Sequence, residues 1–374
     1  MKKVQVGLLV LGIAFLGVLL AKVGLRELGH ELGLLGWGLL PLMLGEGVAE
    51  MIHTLGWRQC LCGPLRSHSW FTLFRIRMAG YAINYLTPTA ALGGEVTKGT
   101  LLAARQAGPE AASGVLIGKL CFALGHLLFV ALGALLVLWR IKLPGPLWTA
   151  MLLSAGLVGG GMLVFLWLQK YGKLGALVRW LAARNFAGKT LYRAADELTS
   201  VDETMMRFYR ERPLGLPLAV GWHLVGYSVG IAQTWLFFRL LHQDATWAVA
   251  AGTWILGMWF DLLTFAVPQN AGTLEGTRIL VFRAFGYAAL TGVTYGLALR
   301  LAQIFWSCIG LAIYARLVSP ARHSPQSAGR DFESRITLTP GCIPGAHSGA
   351  SAETGGRLRN VDAAEGAPIA RPPL

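Results

Sequence analysis

Long runs of apolar residues without charged side chains restrict the fold of this chain more than any other feature. Only 14% of its 374 residues are charged, whereas soluble domains contain about 25%. A helix that crosses the hydrocarbon core of a bilayer needs about 17–25 predominantly apolar residues. Runs of about this length lie at residues 4–21, 33–57, 112–139, 146–168, 214–240, 246–266 and 286–315. The sequence therefore predicts an all-α, polytopic helical membrane protein.

The first apolar run is similar to a signal peptide, because it follows Lys2 and Lys3 directly. It is long enough to span a bilayer, however, and no small-residue cleavage pattern follows before the next charges. We interpret residues 4–21 as a retained signal-anchor helix.

The formal net charge of +14 raises the question of a nucleic-acid partner. Most basic residues lie between apolar runs or near the end of the chain, where membrane topology and anionic head groups account for them. We therefore expect no nucleic-acid partner. The positive-inside rule places in the cytoplasm Lys2, Lys3 and a loop that carries Arg58, Arg66, Arg75 and Arg77.

Residues 169–213 differ from the apolar runs, because basic residues alternate there with leucines at helical spacing. We interpret the segment as an amphipathic connector on the cytoplasmic head groups, with a solvated helical loop as the alternative. Residues 319–374 are rich in Pro, Gly, Ser and Ala and lack sustained periodicity. They predict a disordered tail without a catalytic role.

Cys60 and Cys62 lie between His53 and His68, an arrangement that invites comparison with a metal site. The spacing does not match the usual zinc patterns, and five cysteines in the chain give no disulfide framework. We expect no metal and no cofactor. Because no nucleotide-binding loop is visible, any energy coupling is to an ion gradient or is absent.

Two stretches interrupt the apolar pattern with Pro, Gly and charged residues: "INYLTPTAALGGEVTKGTLL" (residues 83–102) and "TFAVPQNAGTLEGTRILVF" (residues 264–282). Four positions recur at identical offsets in these two motifs: Pro88 and Pro268, Glu95 and Glu275, Thr97 and Thr277, Lys98 and Arg278. Weak internal symmetry of this kind is typical of transporter repeats. The sequence predicts two related repeats, with broken or re-entrant helices at residues 78–102 and 267–285.

The chemistry of the two motifs favours one polar site inside the membrane, formed where the two motifs face each other. Pro breaks a helix and Gly permits irregular backbone, which bilayers tolerate only inside protein or along a wet cavity. A Glu at that depth is costly unless it is paired or hydrated. The base three residues later lies on the same helical face, so we expect each Glu to pair with the base of its own motif. A helix start after the glycines would also present N–H groups to an anion.

An interfacial loop is the alternative for either motif alone, because charges are inexpensive at the membrane surface. The duplication and the flanking apolar residues favour a translocation pathway. Lys119 and Arg300 lie in the spans that follow the motifs, Asp261 precedes the second motif, and Glu46 and Glu50 share one face of the second span. The predicted substrate-binding residues are Asn84, Pro88, Gly93, Gly94, Glu95, Lys98, Lys119, Asp261, Pro268, Gly272, Glu275, Arg278 and Arg300.

The first motif resembles a known family signature, N-x-x-x-P…G-G-E-x-x-[K/R]. This is the signature of the lysylphosphatidylglycerol synthase transmembrane region, a flippase-like family, and the matching residues are Asn84, Pro88, Gly93, Gly94, Glu95 and Lys98. Further likeness lies at Pro268, Gly272, Glu275 and Arg300. The second motif, "PQNAGTLEG", has fewer glycines than family members show, which leaves the roles of Asn270 and Thr273 open. The resemblance covers about residues 5–316, and the length and end of the chain are similar to the subgroup associated with hopanoid biosynthesis.

The resemblance implies a membrane protein that moves an amphiphilic lipid between leaflets, here without the soluble aminoacyltransferase domain of two-domain relatives. The expected partners are membrane lipids with anionic or isoprenoid head groups, together with lipid-biosynthesis enzymes, in a bacterial inner membrane. The resemblance favours a transporter rather than an enzyme. Two alternatives are a membrane-embedded enzyme that uses a Glu or His as general base, and an accessory subunit of lipid biosynthesis.

Overall fold

A computed structural model describes residues 25–86, 92–105, 109–140, 145–183, 199, 202–264, 267 and 270–319. The predicted first span at 4–21, Pro88, Pro268 and the predicted tail after residue 319 lie outside the described residues. In the part of the chain that the structure describes, the fold is all-α, as predicted, and contains no β-strand.

Most of the described residues belong to α-helices, joined by short connections. The helices of the first half are α1 (Leu25–Leu35), α2 (Leu39–Gln59), α3 (Trp70–Leu86), α4 (Leu92–Ala103), α5 (Pro109–Arg140) and α6 (Gly145–Lys170). The later helices are α7 (Leu174–Ala183), α8 (202–211), α9 (Gly215–Leu240), α10 (Trp247–Leu263), α11 (Thr273–Ala284) and α12 (Ala289–Val318). Short 3-10 helices lie at Gly36–Gly38 and Gly63–Ser67.

Five stretches among the described residues are long and apolar enough to cross a membrane: Gly29–Gln59, Ala111–Trp139, Trp148–Leu168, Gly215–Leu240 and Ala289–Val318. They overlap the runs predicted at 33–57, 112–139, 146–168, 214–240 and 286–315. The run at 246–266 corresponds to α10, a shorter apolar helix of 17 residues. The protein is therefore a multi-pass helical membrane protein.

Helix boundaries flank both motifs. The helix α3 spans Trp70–Leu86 and α4 spans Leu92–Ala103, and the five residues between them lie outside the described residues. In the second motif, Gly272 has a φ of 72° and immediately precedes α11. The two helices after the interruptions, α4 and α11, have 12 residues each, or about 18 Å of length. Such helices are too short to cross a hydrocarbon core of about 30 Å.

The order of helix lengths is similar on the two sides of the connector. The helices α2 to α5 have 21, 17, 12 and 32 residues, and α9 to α12 have 26, 17, 12 and 30 residues. This order is compatible with the predicted pair of repeats, which stays a prediction.

The long helices α2 and α9 pack side by side and run antiparallel. Gly38, before the start of α2, faces Leu240 at the end of α9, and Gly56 near the end of α2 faces His223 near the start of α9. Small residues allow such close approach between helices in a membrane, where packing rather than the hydrophobic effect holds helices together. The α2 and α9 backbones therefore pack closely against each other.

The predicted connector contains α7 and α8. On α7, Leu177 and Trp180 are exposed, as expected for a helix whose apolar face meets lipid. Asp202, at the start of α8, accepts a hydrogen bond from the Gly175 backbone N–H at 3.0 Å. Arg212, just after α8, donates to the Leu61 carbonyl oxygen at 2.9 Å, which attaches the connector to the segment that follows α2.

The helices α3 and α12 approach so closely at Gly310 that we expect no larger residue to fit there. A Cβ at this position would lie 2.3 Å from the Met78 carbonyl oxygen, and a backbone atom moves only with its helix. We expect Gly310→Ala to lower the melting temperature of the detergent-purified protein, through a loss of about 1–3 kcal/mol. The control is Gly156→Ala on α6, where a Cβ would meet no atom within 4 Å and Ala favours the helix. Equal melting temperatures for the two variants would contradict this packing.

Candidate functional site

A charged cavity of about 150 Å³ lies among α2, α3, α4 and α5. The residues that line it are Glu50, Trp57, Arg77, Tyr81, Asn84, Glu95, Lys98, Gly118, Lys119 and Phe122. The lining thus has two carboxylates and three basic side chains, a formal excess of one positive charge. A cavity with this excess is suited to an anionic group.

Glu50 and Arg77 form one wall of the cavity. The Arg77 Nε donates to Glu50 Oε2 at 2.6 Å, and both side chains are about nine-tenths buried. The sequence analysis placed Arg77 in a cytoplasmic loop, and the structure corrects this. The helix α3 begins at Trp70, so Arg77 lies two turns inside it and faces Glu50 on α2 rather than water.

Glu95 lies between two lysines on the opposite wall. Its carboxylate is 2.5 Å from Lys98 Nζ and 3.6 Å from Lys119 Nζ. The predicted pair of Glu95 and Lys98 is therefore confirmed as a contact. The Lys119 side chain is 39% exposed, against 10% for Lys98. Lys119 is accordingly the base of this wall that an incoming group meets most easily.

Asn84 and Gly94 hold the start of α4 against α3. The Asn84 Oδ1 accepts a hydrogen bond from the Gly94 backbone N–H at 2.7 Å, which satisfies one of the free N–H groups of a helix start. A Cβ at Gly94 would lie 2.2 Å from the Gly80 carbonyl oxygen, so a side chain there would push the helices apart. The Gly93 carbonyl oxygen accepts from Thr97 Oγ1 at 2.9 Å. Asn84, Gly93 and Gly94 thus position the cavity wall through backbone contacts at the start of α4.

The acid of the second motif has a different partner from the one predicted. The Glu275 side chain is fully buried and accepts from Arg300 Nε at 2.5 Å and Nη2 at 3.1 Å. Arg300 also donates to the Asn270 carbonyl oxygen at 3.2 Å, so α12 holds the irregular backbone before α11. The expected pairing of Glu275 with Arg278 is replaced by this contact between α11 and α12.

Arg278 instead binds Asp261 on α10. Its guanidinium donates to the two carboxylate oxygens at 3.0 and 2.7 Å, and to the Gly257 carbonyl oxygen at 3.1 Å. A Cβ at Gly257 would lie 2.9 Å from Arg278 Cζ, so the glycine leaves the space that the guanidinium occupies. The fork geometry of Arg suits this bidentate contact with a carboxylate. Arg278 consequently turns towards α10 rather than along its own helix.

The predicted site residues thus form two groups. Asn84, Glu95, Lys98 and Lys119 line the cavity, with Gly93 and Gly94 behind them. None of the described second-motif residues lines it; the second group consists of Asp261, Gly272, Glu275, Arg278 and Arg300. Tyr85 on α3, the chain neighbour of Asn84, interacts with Arg300 of the second group.

Aromatic residues complete the cavity, and the sequence analysis missed them. Lys98 Nζ lies 5.6 Å from the centre of the Trp57 ring, while Arg77 Cζ and Lys119 Nζ lie 5.3 and 5.9 Å from the centre of the Phe122 ring. Rings at this distance stabilise desolvated cations. No sequence signal separates these aromatic residues from those that face lipid. Glu50 did carry a signal, as a charge inside an apolar run.

A family model described as "Lysylphosphatidylglycerol synthase TM region" matches residues 4–310, which is most of the chain. Neither the curated proteins nor the solved structures gave a match.

Proposed function

The chain belongs to the lysylphosphatidylglycerol synthase TM region family, and from this membership we propose that it moves an amphiphilic lipid between the two leaflets of a bacterial inner membrane. A role in lipid metabolism agrees with the family match and the multi-pass helical fold. The observation that carries the more specific proposal is the charged cavity enclosed by helices of the membrane domain. Charges at this position are costly and mark substrate pathways.

In this proposal the cavity receives an anionic head group. Its lining has one positive charge in excess, which a phosphodiester would neutralise. Lys119 contacts the head first because it is the more exposed lysine, and its distance of 3.6 Å from Glu95 leaves it the weaker ion pair. The second group, with its ion pairs Asp261–Arg278 and Glu275–Arg300, holds the other broken helix in place. No covalent bond of the lipid changes, so the protein acts as a transporter, alongside enzymes of lipid biosynthesis such as those of hopanoids.

The test is transport in vesicles. The purified protein is reconstituted in unilamellar vesicles with fluorescent lipids, either anionic or zwitterionic, and an external quencher reports the label that reaches the outer leaflet. We expect label to move faster than in protein-free vesicles. Rates equal to those of protein-free vesicles for every head group would remove the proposal. Lipid mass spectra are recorded in parallel, and a change of lipid mass would favour the membrane-embedded enzyme instead.

We expect Lys119→Met to reduce the transport of anionic lipid about tenfold, which corresponds to the loss of about 1.4 kcal/mol of charge interaction. Zwitterionic lipid should be affected less, because its head carries no net charge. The matched control is Lys173→Met, which removes an exposed lysine of the connector. A loss that is equal for both classes of lipid would argue against Lys119 as the residue that recognises the anion.

A further inference from the structure

Two buried histidines contact each other directly behind the cavity. His53 on α2 and His223 on α9 have their Nδ1 atoms 3.0 Å apart, although 170 residues separate them in the chain. The exposed fractions are 4% for His53 and 0% for His223. The proposed transport mechanism does not use this pair.

The two histidines occupy reciprocal positions. The sequences are "HTLG" at 53–56 and "HLVG" at 223–226. A Cβ at Gly226 would lie 2.5 Å from His53 Cε1, and a Cβ at Gly56 would lie 2.8 Å from His223 Cε1. Each imidazole therefore fills the notch that a glycine leaves on the opposite helix. The pair lies where the antiparallel helices α2 and α9 touch, and any relative movement of these helices changes its geometry.

The contact between the two Nδ1 atoms needs one proton between them, because a neutral imidazole has one N–H and one lone pair. The Nε2 of His223 has no hydrogen-bond partner among the described residues. If His223 donates its Nδ1–H to His53, its Nε2 carries a free lone pair. A buried ring nitrogen in this state is a proton acceptor that nothing else in the described structure satisfies.

The pair lies within the electrostatic field of the cavity. The Phe122 ring, which lines the cavity, also contacts both histidines. Its centre lies 5.1 Å from that of the His53 ring and 5.3 Å from that of the His223 ring. The charged and titratable groups near the pair are Arg77 on α3, Lys98 on α4, His126 on α5 and Tyr227 on α9. Glu50 on α2 forms an ion pair with Arg77. An anion in the cavity would offset the positive charges of Arg77 and Lys98 that lie near the pair.

We propose that the His53–His223 pair is a proton-binding site coupled to the head-group cavity, so that the protein binds one proton together with an anionic lipid. The step adds a proton from water to the lone pair of His223 Nε2 and breaks no covalent bond in the protein. The resulting imidazolium keeps its Nδ1–H donated to His53, now as a charge-assisted bond that holds α2 against α9. This inference rests on the proposed function, because it identifies the ion that accompanies the lipid.

Thermodynamic reciprocity gives the proposal its measurable form. If the anionic head favours protonation of the pair, protonation must favour the anionic head by the same factor. Lipid binding should therefore take up protons from solution. It should also bind more tightly as the pH falls and the pair takes up its proton.

The first experiment observes the histidines without any transport. Protein labelled with ¹⁵N-histidine is studied by NMR in phosphocholine micelles, at fixed pH, with and without a short-chain phosphatidylglycerol. His53→Gln and His223→Gln assign the signals, and His30→Gln, on an exposed side chain, is the control. We expect the anionic lipid to increase the imidazolium signal of the pair. An unchanged signal over pH 5–8 would overturn the proposal.

A second measurement needs no variant, which matters if the substitutions prevent folding. Wild-type protein in weakly buffered micelles is mixed with the same anionic lipid, and a pH indicator reports proton uptake. We expect uptake on the order of one proton per protein with the anionic lipid, and none with a zwitterionic lipid. Absence of uptake with both lipids would equally overturn the coupling.

Transport separates this proposal from the proposed function. We expect the wild-type rate for anionic lipid to vary by up to about tenfold per pH unit, as for a single proton, and the two His→Gln variants to lose this dependence. Transport that is independent of pH in the wild type would refute proton coupling and leave the lipid transporter intact. Absence of transport at every pH would refute the transporter, whereas the NMR signals would still decide whether the pair binds a proton.

Discussion

Arg300→Met is expected to destabilise the protein by about 3–5 kcal/mol, the usual effect of removing one partner from a buried ion pair. Glu275 is fully buried, and Arg300 donates to both of its carboxylate oxygens. Without Arg300, the carboxylate has to remain charged in an apolar interior or take up a proton, and both states cost free energy. Loss of the bond to Asn270 adds to this, because the backbone before α11 is then held less firmly.

The measurement is the melting temperature of the protein in detergent, compared with Arg316→Met. Arg316 is exposed in the last turn of the same helix, so its removal changes the charge of α12 without exposing a buried partner. The double variant Glu275→Gln/Arg300→Met should recover part of the loss, because no uncompensated charge remains. If Arg300→Met has the same melting temperature as Arg316→Met, the Glu275–Arg300 pair contributes little to stability.

Glu95→Gln is expected to slow the transport of anionic lipid about 100-fold, while the same lipid binds more tightly. Glu95 is the only carboxylate among the described residues on the wall formed by Lys98 and Lys119, and it lies within 2.5 and 3.6 Å of their Nζ atoms. We expect a phosphate in the cavity to displace Glu95 from these lysines, and the return of Glu95 to release the phosphate. Without this competition the head group stays bound, and a difference of about 2.7 kcal/mol corresponds to the factor of 100.

Both quantities are needed for this prediction, since slower transport alone would also follow from misfolding. Binding of a short-chain anionic lipid is measured in micelles, and transport is measured in vesicles. Glu211→Gln is the control, because Glu211 is an exposed carboxylate on α8. Weaker binding together with slower transport would indicate that Glu95 has a structural role. Wild-type values for both would exclude it from the site.

The correct predictions from sequence concern neighbours in the chain. Apolar runs predict membrane helices because only a helix satisfies its own backbone in lipid. The spacing of Glu95 and Lys98 predicts their contact, since residues three apart share a helical face. Each of these inferences needs only the geometry of one helix.

The tertiary structure decided which charges meet. Arg278 has the same spacing from Glu275 as Lys98 has from Glu95, yet it binds Asp261, 17 residues away, and Glu275 binds Arg300, 25 residues away. The contact of His53 with His223 spans 170 residues. For each acid the sequence offers more than one basic residue as a candidate partner. Helix packing determines which of them makes the contact, because glycines bring backbones together and leave space for particular side chains. The amino-acid sequence alone predicts a helical membrane protein with two charged motifs, whereas the partner in each buried ion pair depends on contacts between distant helices.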